Sequence, residues 1–379
     1  MIFSAIFYIM ILFTMLLLNT ISAYQTTSHL GSIKNSKTNI PILAILVFAI
    51  IFGIRYNVGI DHLRYIENYE TINIIQEDYK GLEVGFYMVN KFFASLSLHY
   101  SWLFTFLAFL QLFLLCYAFR YHYKIVNCLI ITFILSTTFL NFMNGIRQEI
   151  AFCFQTVALY FLSRKKILKC YISIICAITF HTSAVILLPL PLLFIKRDNY
   201  FKNIKIQICL FLLFFIISVL FKPATLIFLA IIDILEVFGY QNYKYMVLGG
   251  DLSFLEPKRE AGLGFILIFL MNLINIINSN KVKDFFNSKL LNIIYDFYFV
   301  GVLYYFLTSG SLMLSRVNYY FNNFNFIISA FTIYYLLSNK TKSNIMQLIL
   351  FMIIYVGLFG AVVILRGDES CAIYKTCFQ

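Results

Sequence analysis

The fold is decided by residues 141–190, NFMNGIRQEIAFCFQTVALYFLSRKKILKCYISIICAITFHTSAVILLPL. This stretch contains apolar segments separated by a short basic run of Arg164, Lys165, Lys166 and Lys169. Arg147 and His181 stand at the ends of the apolar segments. A charged side chain at a helix end that faces protein inside a bilayer is costly, so it is a functional candidate. The pattern predicts membrane helices with Arg147 and His181 as candidate site residues.

The composition excludes a soluble protein. Of 379 residues, 61% are hydrophobic and 12% charged, and the mean hydropathy is +0.84. A folded soluble domain needs more polar surface than this to stay in water. The first apolar segment, residues 2–19, lacks the basic start and small-residue cleavage site of a signal peptide, so we expect it to be a retained helix.

Apolar runs broken by short polar loops predict an all-α polytopic integral membrane protein with about twelve transmembrane helices. We place the spans at roughly 2–21, 41–54, 101–119, 125–141, 148–163, 167–180, 183–195, 206–221, 262–278, 290–308, 322–337 and 345–365.

The net charge of +12 is divided unevenly between the two sets of loops that these spans define. One set has three acids, Asp198, Asp284 and Asp296, against 17 basic residues: Lys34, Lys37, Arg120, Lys124, Arg164, Lys165, Lys166, Lys169, Lys196, Arg197, Lys202, Lys205, Lys281, Lys283, Lys289, Lys340 and Lys342. The other set has 12 basic residues and 14 acids. The positive-inside rule therefore places both termini outside. The basic excess indicates topology and not a nucleic-acid partner.

Two long loops and the tail then lie on the outer side, at 55–100, 222–261 and 366–379. We expect short interfacial helices in the loops, and we interpret the apolar stretch 223–238 as a re-entrant or surface helix because it contains Asp233 and Glu236. We find no internal repeat, so residues 1–379 are expected to form a single membrane domain.

Cysteine and glycine patterns predict neither a metal site nor a nucleotide site. Six of the eight cysteines lie in apolar spans, where they behave as small hydrophobes. Cys371 and Cys377 in the outer tail are candidates for a disulfide if that side is oxidising, and the alternative of free thiols stays open. The chain has no CxxC, HExxH, Walker or dinucleotide-binding motif. We therefore expect no cofactor.

Three sequence blocks carry a family resemblance: RYNVGIDHLRYIENYE at 55–70, GLEVGFYMVNKF at 81–92, and the NGIRQEIAF…AITFHTSAV pattern of the opening stretch. Together they resemble the EpsG-type polysaccharide polymerases, a branch of the Wzy-type O-antigen and capsule polymerases. The resemblance covers roughly residues 50–195 well and the remainder by architecture. His62 is a departure, since the family pattern has an aromatic residue, usually Tyr, after the aspartate.

The resemblance implies a GT-C-like membrane glycosyltransferase in the bacterial inner membrane, with its active site facing the periplasm. Such an enzyme joins undecaprenyl-diphosphate-linked glycans, one acting as donor and one as acceptor. A separate Wzz-type chain-length regulator is the protein partner that the family analogy implies.

The chemistry of that reaction assigns roles to residues on the predicted outer side. A departing diphosphate needs positive charge, and the planar guanidinium of arginine can bond two phosphate oxygens at once. We select Arg147 first, then Arg316 and then Arg55. The acceptor hydroxyl needs a base near neutral pKa, for which we select His181, with Asp61 or Glu83 as alternatives. The predicted substrate contacts are Arg64, Tyr65, Glu83, Gln148 and Tyr319.

Structural interpretations of the same residues stay open. In one such interpretation, Arg147 pairs with Glu149 or extends its charged end to the membrane interface. In another, His181 caps the turn between two short half-helices. Arg316 is then an interfacial anchor beside Tyr319.

Two other functions also stay open. An O-antigen ligase would use the same lipid-linked donor. A flippase or exporter of lipid-linked sugar would place charge at mid-membrane, where Asp296 is the exception to the outer-face pattern.

Overall fold

A computed structural model describes residues 1–28, 40–72, 82–197, 199–221, 262–308, 312–367 and 372–378. The regular elements in these ranges are helices, apart from one isolated antiparallel bridge between Arg55 and Thr376. The predicted loop 222–261, with its expected surface helix, lies outside the described residues. So does Cys371, and the disulfide with Cys377 therefore stays a prediction.

The α-helices in chain order are α1 (Ile2–Ser28), α2 (Ile42–Gly53), α3 (His62–Thr71), α4 (Val84–Ser95), α5 (Tyr100–Phe119), α6 (Val126–Leu135), α7 (Thr138–Asn144), α8 (Ile146–Ser163), α9 (Ile167–Phe180), α10 (Leu190–Phe194), α11 (Ile204–Phe221), α12 (Leu263–Phe286), α13 (Lys289–Thr308), α14 (Leu312–Asn322), α15 (Phe324–Ser338) and α16 (Lys342–Phe359). Short 3₁₀ helices span Arg120–Ile125 and Thr182–Leu187, and a π-helical turn spans Gly360–Leu365.

Within the described ranges, six helical segments are long and apolar enough to cross a membrane: Ile2–Ser22, Tyr100–His122, Ile204–Phe221, Leu263–Phe286, Lys289–Thr308 and Lys342–Leu365. A seventh span is available if α6 and α7 are counted together. A helix of about 20 residues is 30 Å long, which matches the hydrocarbon core of a bilayer. The prediction of an all-helical, multi-pass membrane protein is confirmed, while the count of twelve spans stays a prediction.

The structure departs from the predicted spans at two places. The helix expected over 125–141 is broken, because Thr137 adopts a left-handed φ of 62° and α6 meets α7 at a bend of 73°. The helix expected over 183–195 is a 3₁₀ turn followed by the five-residue α10. Pro189 and Pro191 lack the N–H groups that a continuous helix needs there.

The chain forms two compact units. The first comprises Met1–Ile195 and Ser329–Gln379, and the second comprises Lys196–Ile328. The expectation of one membrane domain stays a prediction, and each unit is described by itself. In the first unit, α8 packs against α5 and α9, and most of its residues are buried. This central position explains why the stretch 141–190 is so apolar.

The first unit ties its C-terminal segment, residues 372–377, to the start of α1 and the end of α2. The Tyr8 hydroxyl donates to the Ala372 carbonyl at 2.9 Å, and the Tyr374 hydroxyl donates to the Ile51 carbonyl at 2.7 Å. At the other end of α1, the Asn19 amide donates to Asn127 at 2.7 Å. The helix ends that come together are those that the charge pattern assigned to the same side.

In the second unit, a buried aspartate and a buried lysine both form hydrogen bonds to the loop before α11. The Asp296 carboxylate accepts from the backbone N–H groups of Tyr200 at 2.7 Å and Phe201 at 3.2 Å. The Lys283 ammonium donates to the Asn199 side chain at 3.0 Å and to the Phe201 carbonyl at 2.9 Å. Both buried charges are therefore satisfied by the loop before α11.

Candidate functional site

Glu83 joins the two residues that the sequence selected first. It lies immediately before α4, and its Oε2 is 2.6 Å from Nη1 of Arg147 while its Oε1 is 2.8 Å from Nδ1 of His181. The side chains of Glu83, Arg147 and His181 are 9%, 28% and 18% exposed. Three chain segments thus contribute one acid, one permanent cation and one imidazole to a half-buried cluster, which we call the Glu83 cluster.

The positions of Arg147 and His181 follow from where α8 begins and α9 ends. Gln111 of α5 donates to the carbonyls of Phe142 and Ile146 at 3.3 Å each, which fixes the junction before Arg147. His181 leaves the helix in an extended conformation with φ −154°, while its N–H still bonds to the Ala177 carbonyl. Its ring is thereby turned away from the helix and toward Glu83.

Gly85 permits Glu83 to reach His181. A Cβ at Gly85 would lie 2.6 Å from Oγ1 and 2.9 Å from the carbonyl oxygen of Thr179. These separations are shorter than side chains tolerate, so a glycine is needed where the first turn of α4 crosses the end of α9. The motif GLEVGF contains this signal, but the sequence alone does not identify its partner.

An aromatic wall supports the Arg147 guanidinium. The Tyr65 hydroxyl is hydrogen-bonded to it, and the rings of Tyr65 and Phe86 lie with their centroids 6.0 and 5.8 Å from it. The two rings contact each other edge to face at 5.7 Å. Burial raises the pKa of Tyr65, so its hydroxyl remains protonated at neutral pH. The wall holds the guanidinium in place without neutralising it.

Glu83 is ionised at any physiological pH. Burial by itself raises the pKa of Glu83, but the hydrogen bond from His181 and the charge of Arg147 outweigh burial and lower this pKa to about 2. An ionised carboxylate only accepts hydrogen bonds, so Nδ1 of His181 carries the proton that they share. The other ring nitrogen, Nε2, makes no hydrogen bond within the described part of the chain and is the one able to accept a proton.

Arg55, a predicted diphosphate ligand, is fully buried, and its hydrogen-bond partners among the described residues are backbone carbonyls. It donates from Nη1 to Phe52 and from Nη2 to Met143, both at 2.7 Å, and from Nε to Val58 at 3.2 Å, with a carbonyl oxygen as acceptor each time. Burial lowers the pKa of Arg55 to about 9. This placement ties the end of α2 to the end of α7, and the diphosphate role of Arg55 stays a prediction.

The loop after Arg55 packs on Asn144 at the end of α7. The Asp61 backbone N–H donates to the Asn144 side chain at 3.0 Å, and Gly59, with a left-handed φ of 95°, lies against the same residue. The Asp61 side chain is half-buried, while the Arg64 side chain is exposed. These two predicted residues therefore lie on the segment that supports the α7–α8 junction.

The His62 ring lies among aromatic side chains, at the position where the family pattern has an aromatic residue. Its ring is buried next to Tyr56, Tyr100 and Phe104, with centroid distances of 6.2, 6.3 and 5.2 Å. Neither ring nitrogen has a hydrogen-bond partner in the described structure. Burial, reinforced by Arg55, lowers the pKa of His62 to about 3, so the ring is neutral and packs as an aromatic side chain.

The remaining predicted residues divide between the two units. Gln148 is buried on α8 beside Arg147. Arg316 is exposed and Tyr319 half-buried on α14, in the second unit, so their roles stay predictions. Among the described residues, no group of three or more His, Cys, Asp and Glu side chains is arranged to hold a metal ion.

Comparison with known proteins identifies the family. A family model described as the EpsG family matches residues 38–376, which is nearly the whole chain. The chain belongs to the EpsG family. No curated protein and no solved structure matches it. EpsG membership supports a membrane polysaccharide-polymerase-like function. The match also extends the resemblance seen at residues 50–195 to α14, which carries Arg316, and to residues 372–376 of the C-terminal segment.

Proposed function

We propose that this EpsG family protein polymerises undecaprenyl-diphosphate-linked oligosaccharide repeat units into O-antigen or capsular polysaccharide. The observation that supports this best is the Glu83 cluster, in which a histidine oriented by a carboxylate lies beside an arginine. A base for the acceptor hydroxyl and a cation for the leaving diphosphate are the two groups that such a transfer needs.

In the proposed reaction, the acceptor hydroxyl attacks the anomeric carbon of the donor glycan. The new glycosidic C–O bond forms while the bond from the anomeric carbon to the diphosphate oxygen breaks. The hydroxyl proton passes to Nε2 of His181, and undecaprenyl diphosphate leaves with the bonding electron pair. The donor is already activated by its diphosphate, so this transfer calls for no cofactor.

Glu83 is the positioning residue for His181 in this scheme. Its bond to Nδ1 selects the tautomer with a free Nε2 lone pair and stabilises the imidazolium that forms when the proton is taken. Because the pKa of Glu83 is held at about 2, the carboxylate is available throughout the physiological pH range.

Arg147 is the proposed diphosphate ligand. Its Nη1 is bonded to Glu83, which leaves other N–H groups of the planar fork for phosphate oxygens, and 28% of its side chain is exposed. The Tyr65 hydroxyl, Asp61, Arg64 and Gln148 are proposed to contact the glycans. Arg316 is proposed as a further diphosphate contact and Tyr319 as a sugar contact.

We further propose twelve spans in a GT-C-like arrangement in the bacterial inner membrane, with the Glu83 cluster facing the periplasm. The positive-inside charge pattern supports this orientation. The ties from residues 372–377 to the start of α1 and the end of α2 also support it, since all three are assigned to the outer side. A Wzz-type regulator is the proposed protein partner.

Gel analysis of lipopolysaccharide or capsule from complemented deletion strains tests the function. We expect Arg147→Ala and His181→Ala each to abolish long glycan chains and to leave lipid capped with a single unit. The matched controls Arg197→Ala and His99→Ala, at exposed positions, are expected to keep the normal ladder. A normal ladder from both site variants would contradict the site assignment.

The same experiment separates the alternative functions. Loss of an O-antigen ligase would leave polymer on its lipid carrier and lipid A core without even one unit. Loss of a flippase would strand lipid-linked units on the cytoplasmic side. Transport is disfavoured by Asp296, since its carboxylate is occupied by two backbone N–H groups of a loop.

A further inference from the structure

We propose that the basic ends of α5, α8 and α9 form a binding site for an anionic phospholipid. The headgroup would bind at Arg120 and Arg164, and the acyl chains would lie along α9. Arg164 follows the last residue of α8 and Arg147 is near its first, so this site is at the opposite end of α8 from the Glu83 cluster. The proposal does not depend on the proposed polymerase function.

Arg120 and Arg164 share a platform of tyrosine rings. The Arg120 guanidinium lies 3.7 Å from the ring centroid of Tyr117 and 4.3 Å from that of Tyr160. The Arg164 guanidinium lies 4.9 Å from Tyr121 and 5.7 Å from Tyr160. The rings of Tyr121 and Tyr160 are stacked, with their planes only 14° apart. Rings that contact two guanidiniums at once hold both cations close together.

Two hydrogen bonds also hold the Arg120 guanidinium in place, and its other N–H groups remain available to a ligand. Its Nη1 donates to the carbonyl of Tyr117, and its Nη2 donates to the hydroxyl of Tyr160 at 2.7 Å. Two of the five N–H groups of the guanidinium are accounted for by these bonds. Arg164 is exposed at the edge of the platform. An arriving phosphate therefore meets one pre-positioned and one accessible guanidinium.

Among the described residues, no ion pair joins an acid to Arg120 or Arg164. The exposed cations that adjoin the two arginines in the chain are Lys124, Lys165, Lys166 and Lys169. The ion pairs of Glu83 with Arg147 and His181 lie at the other end of α8. The positive-inside rule explains why this side is basic, but it does not require two arginines to converge on shared rings. Convergence of that kind fits a phosphate-bearing ligand.

An apolar stripe on α9 next to the basic residues favours a lipid over a free phosphate as the ligand. Leu168, Ile172 and Ile175 are 75%, 51% and 55% exposed, at a spacing that places them on one face of the helix. The stripe starts between Lys166 and Lys169. A cationic surface continuous with an exposed apolar stripe matches a headgroup phosphate with acyl chains attached.

Native mass spectrometry of protein released from nanodiscs tests this site. The nanodiscs contain phosphatidylethanolamine with or without phosphatidylglycerol, and retained phosphatidylglycerol is counted per protein. We expect Arg120→Ala/Arg164→Ala to retain at least tenfold less phosphatidylglycerol than the wild type. The matched control is Lys340→Ala/Lys342→Ala, which removes two exposed cations from the same predicted side and should retain the wild-type amount.

Equal losses in both double variants would reduce the effect to bulk charge and overturn the proposal, as would unchanged retention in the arginine variant. Arg164→Gln, at an exposed position, provides a second test if the double variant does not fold, with an expected severalfold loss. Soluble glycerol phosphate at the same concentration should not displace the lipid. Displacement would show that the apolar stripe contributes nothing and would overturn the lipid assignment.

Discussion

Arg55 and Arg147 look alike in the sequence and differ completely in the structure. Each stands next to an apolar segment on the predicted outer side. Arg55 is fully buried against three backbone carbonyls, whereas Arg147 is 28% exposed and pairs with an ionised carboxylate beside a histidine. A buried guanidinium that donates to three backbone carbonyls holds chain segments together. One that shares a half-exposed cluster with titratable groups has donors and access left for a ligand.

The largest expected effect separates these two arginines by stability. Arg55→Met should destabilise the protein by about 3–5 kcal/mol, because it leaves three buried carbonyls without a donor. Arg147→Met should cost only about 1–2 kcal/mol, since Glu83 keeps its bond to His181. Thermal unfolding of both variants in detergent measures the difference.

Glycan ladders from the same two variants complete this test. Arg147→Met should be folded and inactive, while Arg55→Met should be poorly folded. Equal stability of the two variants would remove the distinction between a structural and a functional arginine.

The pH dependence of stability tests whether the ionised carboxylate of Glu83 stabilises the folded protein. The pKa of Glu83 is about 2 in the folded protein against an ordinary value of 4.5. Its ionised form therefore contributes stability above about pH 4.5, and that contribution is lost as the pH falls toward 2. The shift corresponds to about 3 kcal/mol. Glu83→Gln should lower stability by a constant amount between pH 5 and 8, and the difference from wild type should vanish near pH 2.

Thermal unfolding in detergent across pH 2–8 measures this difference. The control is Glu67→Gln, at an exposed acid on α3, which should shift stability little at any pH. A Glu83→Gln difference that persisted unchanged at pH 2 would show that the charge of Glu83 is not what stabilises the cluster.

A smaller effect is expected where α4 crosses α9. Gly85→Ala should cost about 1–3 kcal/mol and displace Glu83 from His181, because the new methyl group meets Thr179. We expect at least a tenfold fall in polymer yield. Gly264→Ala is the matched control, since a Cβ at Gly264 meets no atom within 4 Å among the described residues. If both variants behaved alike, close approach at Gly85 would not be what positions Glu83.

The smallest expected effect is an increase in the stability of the folded protein. His62→Phe should stabilise the protein by about 1 kcal/mol, because it replaces two buried ring nitrogens that lack partners with an apolar ring of similar shape. Thermal unfolding measures the gain, and His99→Phe, at an exposed position, should show none. A loss of stability in His62→Phe would mean that the imidazole has a polar role beside Arg55.

The sequence singled out Arg147 and His181 but did not show that Glu83 joins them. Arg147 and His181 were recognisable because charge beside apolar segments is rare and costly. Glu83 was predicted as an alternative base or a sugar contact, and its bridging position was not foreseen. The signal at Gly85 was present in the sequence, but a glycine's partner is a property of packing. The sequence could not show that Arg55 is buried against backbone carbonyls, because a snorkelling, a structural and a ligand-binding arginine look the same in a linear pattern.

Composition and periodicity determined the membrane class, the helices and the family resemblance, because each depends on residues close together in the chain. The sequence also fixed which loops are basic, and hence the predicted topology. Only the tertiary structure decided where α6 breaks, which arginine is buried, and that Glu83 meets Arg147 and His181. These partners lie 64 and 98 positions from Glu83. Contacts over such separations depend on which helices pack together, and no local pattern contains that information.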